Sequence, residues 1–306
     1  MEPPRIRKAS SCDIQMMITL SNEAYGNSYE FTGFSQTDFP LDKSDNFALV
    51  AESDQTPIGC VMIESPSAFD PNEAEITILA ASSKHRTRDL EEALIEAAEN
   101  NVQVACTSFW VPADNEKTSW LPLRGYEIEP GYSHFVAALT ALPKEPVVEG
   151  VRVRSMRESE ESQVIDVVNA AYGKRRLTQD HFDRWRREDP LFNEDWVLVA
   201  ISDGKMVGVL CLRQDLQYNR VLRRRRGYVG PAATLSQYRS RGIGKALNWH
   251  GMKFLKAQGL NEASLYTAEN NLPVYRMVSA LGYERRYTWK RFKKTLRSSR
   301  IPEAIQ

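Results

Sequence analysis

Residues 237–247 read Gln-Tyr-Arg-Ser-Arg-Gly-Ile-Gly-Lys-Ala-Leu, and this segment carries the clearest chemistry in the chain. Gly242 and Gly244 let the backbone approach a ligand closely, and successive free amides at a helix start form a nest for an anion. Arg239, Arg241 and Lys245 add positive charge at the same place. Ile243, Ala246, Leu247 and Phe254 give the following helix an apolar stripe that packs on a sheet. The combination is a site for a phosphate-bearing ligand. Further on, Asn271-Leu272-Pro273 opens a helical segment that closes at Leu281-Gly282-Tyr283.

Other reactive residues are scattered. Cys12, Cys60, Cys106 and Cys211 form no CxxC pair, and the last three lie in apolar, strand-like runs that predict buried structural thiols. The four histidines lack metal-ligand spacing, so no metal site is expected. His181, Asp183 and Glu269 are candidates for a general base, and each also reads as an exposed helix or loop residue. His250 reads as a packed residue of the long helix. Arg220 and Arg223–Arg226 read as a solvated hairpin end or as a site for acidic groups, and the basic tail Lys290–Arg300 as solvated.

The elements that position the glycine loop follow from periodicity. Helices are expected near 160–171 and 178–187, the second with Thr178 as N-cap. Two β-branched runs, 196–201 and 206–212, meet at Asp203-Gly204 as a hairpin. A strand near 228–235 precedes the loop. A helix over 242–258, a strand over 262–267, a helix over 273–281 and a last strand from Tyr283 follow. Much of this pattern occurs twice. IRKAS at Ile6–Ser10 recurs as VRVRS at Val151–Ser155, and NEAYG at 22–26 as NAAYG at 169–173. FALVAESDQTPIGCVMI at 47–63 recurs as WVLVAISDGKMVGVLCL at 196–212, and Gly125-Tyr126-Glu127 as Gly282-Tyr283-Glu284. The colinear order marks an internal duplication, with a linker at Ala141–Gly150.

Charge is divided the same way. Residues 1–150 carry 10 Lys and Arg against 24 Asp and Glu, and residues 151–306 carry 30 against 16, although the whole chain is neutral. A basic half wants an anionic ligand, and the opposition also predicts attraction between the halves. Aromatic interleaving around the arginines is sparse, which disfavours nucleic acid as a partner. With no long apolar run and no apolar N-terminal segment, a cytoplasmic protein without membrane partners is expected.

The second half resembles the GCN5-related N-acetyltransferase (GNAT) superfamily, through R-x-x-G-x-G at Arg239–Gly244 and N-x-P…LGY at Asn271–Tyr283. The tandem layout is similar to that of mycothiol synthase and other double-domain members. The resemblance implies an α/β fold of two tandem GNAT-like domains, each a mixed, mostly antiparallel sheet flanked by helices. It places a degenerate domain at 1–144 and an acyl-CoA-binding domain at 145–306. Acetyl-CoA is the implied co-substrate, and a small-molecule or peptide amine the implied acceptor. Arg239, Ser240, Arg241, Gly242, Ile243, Gly244 and Lys245 would hold the pyrophosphate. The backbone at Ala232, Ala233 and Thr234 would meet the pantetheine arm and thioester, with Thr234 at the reacting end, and Asn271 would touch the cofactor near the thiol. The family's acid, a tyrosine four residues before the LGF glycine, is replaced by Val278, leaving Tyr275 one turn earlier as the candidate. In the first copy the glycines become Asp89 and Glu91, which repel a pyrophosphate. A non-catalytic acyl-CoA-binding protein is the alternative reading.

Overall fold

The computed structural model describes residues 4–42, 46–67 and 70–296. Packing divides the chain into two units, and the division falls elsewhere than residue 144. Unit 1 holds the residues up to Gly131 and those from Trp289 on; unit 2 is Tyr132–Thr288.

Unit 1 contains β1 (Arg5–Lys8), α1 (Ile14–Tyr25), β2 (Phe47–Ser53), β3 (Thr56–Glu64), β4 (Glu73–Ala81), α2 (Arg88–Asn101), β5 (Cys106–Pro112) and α3 (Lys117–Trp120). The strand β6 (Glu127–Ala138) starts in unit 1 and passes into unit 2. Unit 2 continues with β7 (Val151–Ser155), α4 (Glu161–Tyr172), α5 (Gln179–Glu188), β8 (Val197–Ser202), β9 (Lys205–Gln214) and α6 (Leu216–Leu222). Then come β10 (Arg226–Thr234), α7 (Ile243–Ala257), β11 (Glu262–Ala268), α8 (Leu272–Ala280) and β12 (Glu284–Thr295), whose second half belongs to unit 1. The helix α6 lies where the sequence reading expected only a hairpin end.

The strands of the two units share one plan. Within the strand order, unit 1 contributes β1-β2-β3-β4-β5-β12 and unit 2 β7-β8-β9-β10-β11-β6, antiparallel except for the parallel pairs β4/β5 and β10/β11. The expected α/β architecture, mixed and mostly antiparallel strands flanked by helices in each copy, is what the chain adopts. Each sixth strand is supplied by the other copy. Residues 132–138 pair with 262–268 and bury Phe135 and Ala137 in unit 2, while residues 289–295 pair with 106–112 and bury Phe292 in unit 1. A Cβ at Gly131 would stand 1.7 Å from the Trp289 carbonyl oxygen, so only glycine fits there.

This exchange accounts for part of the charge division. Arg291 and Lys293 close on the fully buried carboxylate of Glu73, and Lys294 reaches Glu99 at 2.7 Å. Up to Thr295 the basic tail is a strand with internal partners rather than a solvated segment; residues beyond 296 lie outside the described residues. No described helix is long and apolar enough to cross a membrane.

Helix packing confirms the register of the repeat. A Cβ at Gly59 would meet Leu90 and Leu94 at 3.6 and 3.2 Å; one at Gly208 would meet Ile243 and Leu247 at 3.2 and 3.0 Å. Leu90 and Leu94 of α2 therefore stand where Ile243 and Leu247 stand on α7, and Asp89 and Glu91 stand where Gly242 and Gly244 do.

Candidate functional site

In unit 2 the sheet opens beside the glycine loop. The ladder between β9 and β10 gains an extra residue between Val229 and Ala232, and the parallel ladder to β11 ends at Tyr228 opposite Ser264. Strand β10 therefore runs on through Ala232, Ala233 and Thr234 without a described partner on its β11 side. Ala233 is buried in the core, whereas Ala232 is exposed and its carbonyl accepts from the Tyr172 hydroxyl at 3.1 Å. Unit 1 repeats the device, with Tyr25 donating to the Leu79 carbonyl at 3.1 Å.

After a short turn the chain reverses through two left-handed residues, Ser240 (φ +62°) and Gly242 (φ +85°). An L side chain at such an angle costs about 1–2 kcal/mol, which fits glycine at 242. Gly242 is the N-cap of α7, and no side chain caps the helix. The amides of Ile243, Gly244 and Lys245, in the first turn, have no intrahelical acceptor by geometry. They face the positive end of the helix dipole. Ile243 is 1% exposed, so it offers a ligand only its backbone.

The cations divide into two roles. Arg239 is spent on the fold: Nε donates to the Thr234 carbonyl at 3.1 Å and Nη2 to the Ala171 carbonyl at 2.6 Å. It locks the loop to β10 and to the end of α4. Arg241 is exposed, its guanidinium 5.5 Å from the Tyr238 ring, and Lys245 follows Gly244 on the first turn.

Gly244 leaves a cradle. A Cβ there would lie 3.5 Å from the Met277 sulfur and 4.0 Å from the Thr234 hydroxyl. Beside it Asn248, 2% exposed, donates from Nδ2 to the Gly244 carbonyl at 2.9 Å, while its Oδ1 is buried without a partner among the described residues. An orphaned acceptor of this kind costs about 1–3 kcal/mol, and a ligand amide passing between α7 and α8 would relieve it. The residues present therefore fit the pantetheine and pyrophosphate of an acyl-CoA. Sequence reasoning missed Asn248; its signal was one polar residue on the buried face of an apolar helix.

Asn271 is exposed at the N-cap of α8. Val278 is wholly buried in the core, so the position of the family tyrosine faces packing. Tyr275 is half-buried, edge-on to Phe135, and its hydroxyl is 2.7 Å from Ser133 Oγ, which shares a 2.8 Å hydrogen bond with Thr288. His181 shares a 2.7 Å hydrogen bond with Thr178, and burial with nearby Arg184, Arg176 and Arg213 pushes its pKa down. Asp183 is exposed beside Gln179 and Arg186. His250 lies 3.5 Å from Glu145. Within the arginine run, Arg226 is buried and held by Asp215 at 2.7 Å, while Arg223–Arg225 are exposed.

The same region of unit 1 is filled differently. Thr87 caps α2 by accepting from the Leu90 amide at 3.2 Å, and no residue near this start has a positive φ. Glu91, 3% exposed, forms an ion pair with buried Lys117 at 2.7 Å. A cavity of about 210 Å³ remains, lined by Tyr25, Leu79, Arg86, Glu91, Trp110 and Lys117 among others. Its helix end is occupied by the protein's own carboxylate.

The family model of the acetyltransferase (GNAT) family matches residues 158–283, which span the splayed strand, the glycine loop and α8. This stretch of the chain is a GNAT-family domain. A mycothiol acetyltransferase of Frankia casuarinae is 29% identical over 170 residues, covering 51% of this chain and 49% of its own. One of Pseudarthrobacter chlorophenolicus is 24% identical over 224 residues, covering 71% and 69%. The chain spans about half the length of the first of these relatives. Among solved structures, a GCN5-related N-acetyltransferase from Sphaerobacter thermophilus superposes with TM-score 0.70 at 17% identity, covering 96% of both chains. A tandem GNAT protein from the clavulanic acid biosynthesis pathway gives 0.66 at 14%, covering 95% and 98%. These likenesses extend the GNAT fold over both copies.

Proposed function

We propose that the protein is an acetyl-CoA-dependent N-acetyltransferase that turns over in unit 2 only, on a small-molecule or peptide primary amine. The observation that carries this reading is the contrast between two equivalent helix starts. That of α7 is open, uncapped and cationic beside a splayed strand. That of α2 is capped by Thr87 and blocked by the Glu91–Lys117 pair.

Acetyl-CoA supplies an activated acyl group on a thiolate leaving group. The chain's part is to bind and orient. The first-turn amides of α7 with Arg241 and Lys245 hold the pyrophosphate. The free edge of β10 at Ala232–Thr234 aligns the pantetheine arm, and Arg239 fixes the loop against that edge. On the α4–α5 face His181 is held towards its neutral form, the form that accepts a proton.

The burial of Val278 favours one other reading, an acyl-CoA-binding protein without turnover. Calorimetric titration with acetyl-CoA, followed by thiol release over a panel of primary amines, tests both. One site per chain with amine-dependent thiol release is expected. Two sites would defeat the assignment to unit 2. One site without transfer to any amine would favour the binding protein.

A further inference from the structure

In unit 2, Leu210 and Leu212 of β9 pack on α7, so the alternate residues Val209, Cys211 and Arg213 face the α4–α5 side. Arg213 sits opposite Tyr228 of β10, one residue before the register shift that runs from Val229 to Ala232. Its guanidinium lies between two rings, 5.0 Å from Trp185 of α5 and 5.0 Å from Tyr228. Among the described residues no carboxylate lies within 4 Å of it; Glu188 acts only at longer range. Its Nε is buried without a hydrogen-bond partner, and so is Nε1 of Trp185, a side chain 3% exposed. Among the described residues the terminal nitrogens of Arg213 find no hydrogen-bond partner, and they are not sealed from solvent.

The fold does not require an arginine there. In unit 1 the same position of the same strand pair holds Glu64 opposite Glu75. Burial, with Glu64 adding to it, pushes the Glu75 carboxyl up to about 7. The two copies thus carry opposite charge at one point of a shared architecture. Other cations stand near Arg213: Arg176 lies over the Tyr172 ring at 5.8 Å, and His181 feels Arg184, Arg176 and Arg213, with Asp180 acting the other way. A half-buried cation with unspent donors and no counter-ion is costly unless a ligand supplies the anion.

The geometry points to Arg213 as an anion-recognition residue on the α4–α5 face of unit 2, the face that carries His181, selecting an acceptor amine that also carries a carboxylate or phosphate group. The inference rests on the acetyltransferase reading for the word acceptor, but not for the anion site itself. Trp185 and Tyr228 would hold the guanidinium plane so that its terminal nitrogens present a fork to the anion.

The test uses two isosteric probes, propionate and propionamide, titrated into the full chain by calorimetry. Propionate should bind at least tenfold more tightly, the scale of one charge-assisted hydrogen bond. Arg213→Met should erase the difference and Arg213→Lys should keep part of it. Equal binding of the two probes to the wild-type protein overturns the inference without any variant. So does a preference that survives Arg213→Met. In the transfer assay, amino acids should exceed their amides in kcat/KM by a similar factor, and a preference for the amides also overturns it. Probe discrimination that depends on Arg213, with no transfer to any amine, supports the anion site and defeats only the acetyltransferase reading.

Discussion

Replacing Gly244 by glutamate reproduces in unit 2 what Glu91 does in unit 1, and the structure separates its effect on folding from its effect on binding. A Cβ at 244 has room, 3.5 Å from the Met277 sulfur and 4.0 Å from Thr234. Glutamate is a better helix former than glycine by roughly 0.5 kcal/mol, and an acid in the first turn adds about 0.3–1 kcal/mol. The melting temperature should hold or rise by a few degrees. Binding should fail. A carboxylate about 4 Å from a phosphate is repelled by about 1 kcal/mol in water and about 4 kcal/mol at an effective dielectric of 20. A half-buried site lies between, so the affinity for acetyl-CoA should fall by about 100-fold. Gly244→Gln has nearly the same shape without the charge and isolates the electrostatic part. Calorimetry on both variants at low and high salt measures it, and the gap between them should narrow as salt rises. Gly244→Glu binding within threefold of wild type, in a folded protein, refutes the reasoning. A loss equal in both variants shows that shape, and not charge, closes the loop.

Asn248→Leu removes the orphaned oxygen, so the free protein should be as stable or more so while acetyl-CoA affinity falls about tenfold; unchanged affinity would show that Oδ1 does not meet the ligand. Glu73 is buried, and its partners Ser108, Lys293 and Arg291 outweigh burial and hold its carboxyl below the usual range. Its stabilisation is present above the unfolded value near 4.3 and is lost as pH falls through the lower folded value. Glu73→Gln should therefore cost about 3 kcal/mol at pH 7, roughly 6–12 °C in melting temperature, and flatten the acid limb of the stability curve. A melting temperature at pH 7 within 2 °C of wild type contradicts this. Tyr275→Phe should keep most single-turnover transfer, because the hydroxyl is bonded to Ser133. A loss near 100-fold, with acetyl-CoA affinity intact, would make Tyr275 the proton donor to the leaving thiolate.

Much of this was legible from residue order alone. The glycine loop, the hairpin at Asp203-Gly204 and the long helix depend on local signals, and Ile243–Ala257 falls inside the stretch that periodicity marks out. The duplication was legible because Gly59 and Gly208 each receive a helix. What stayed hidden depends on neighbours distant in sequence. Arg239 reads as a phosphate ligand until its two carbonyl partners are seen. Val278 reads as a gap in an active site until it is found in the core. Arg213 carries no motif, and only the meeting of α5 with β9 and β10 sets it between two rings. Nor does alternation in β6 and β12 say which sheet edge each will join.

The exchanged sixth strands give the protein a timetable as well as a topology. Strand β5 ends at Pro112, but the strand that pairs with it begins its ladder at Trp289. A ribosome adding about 5–20 residues per second needs roughly 9–35 s to cover that stretch. Throughout that interval the β5 edge is unpaired and Glu73 lacks Arg291 and Lys293. Unit 2 already has residues 132–138 in hand when β11 emerges, so its sheet is free to close first. The copy made first is completed last, and a stalled or shortened chain would leave a closed unit 2 attached to an unfinished unit 1.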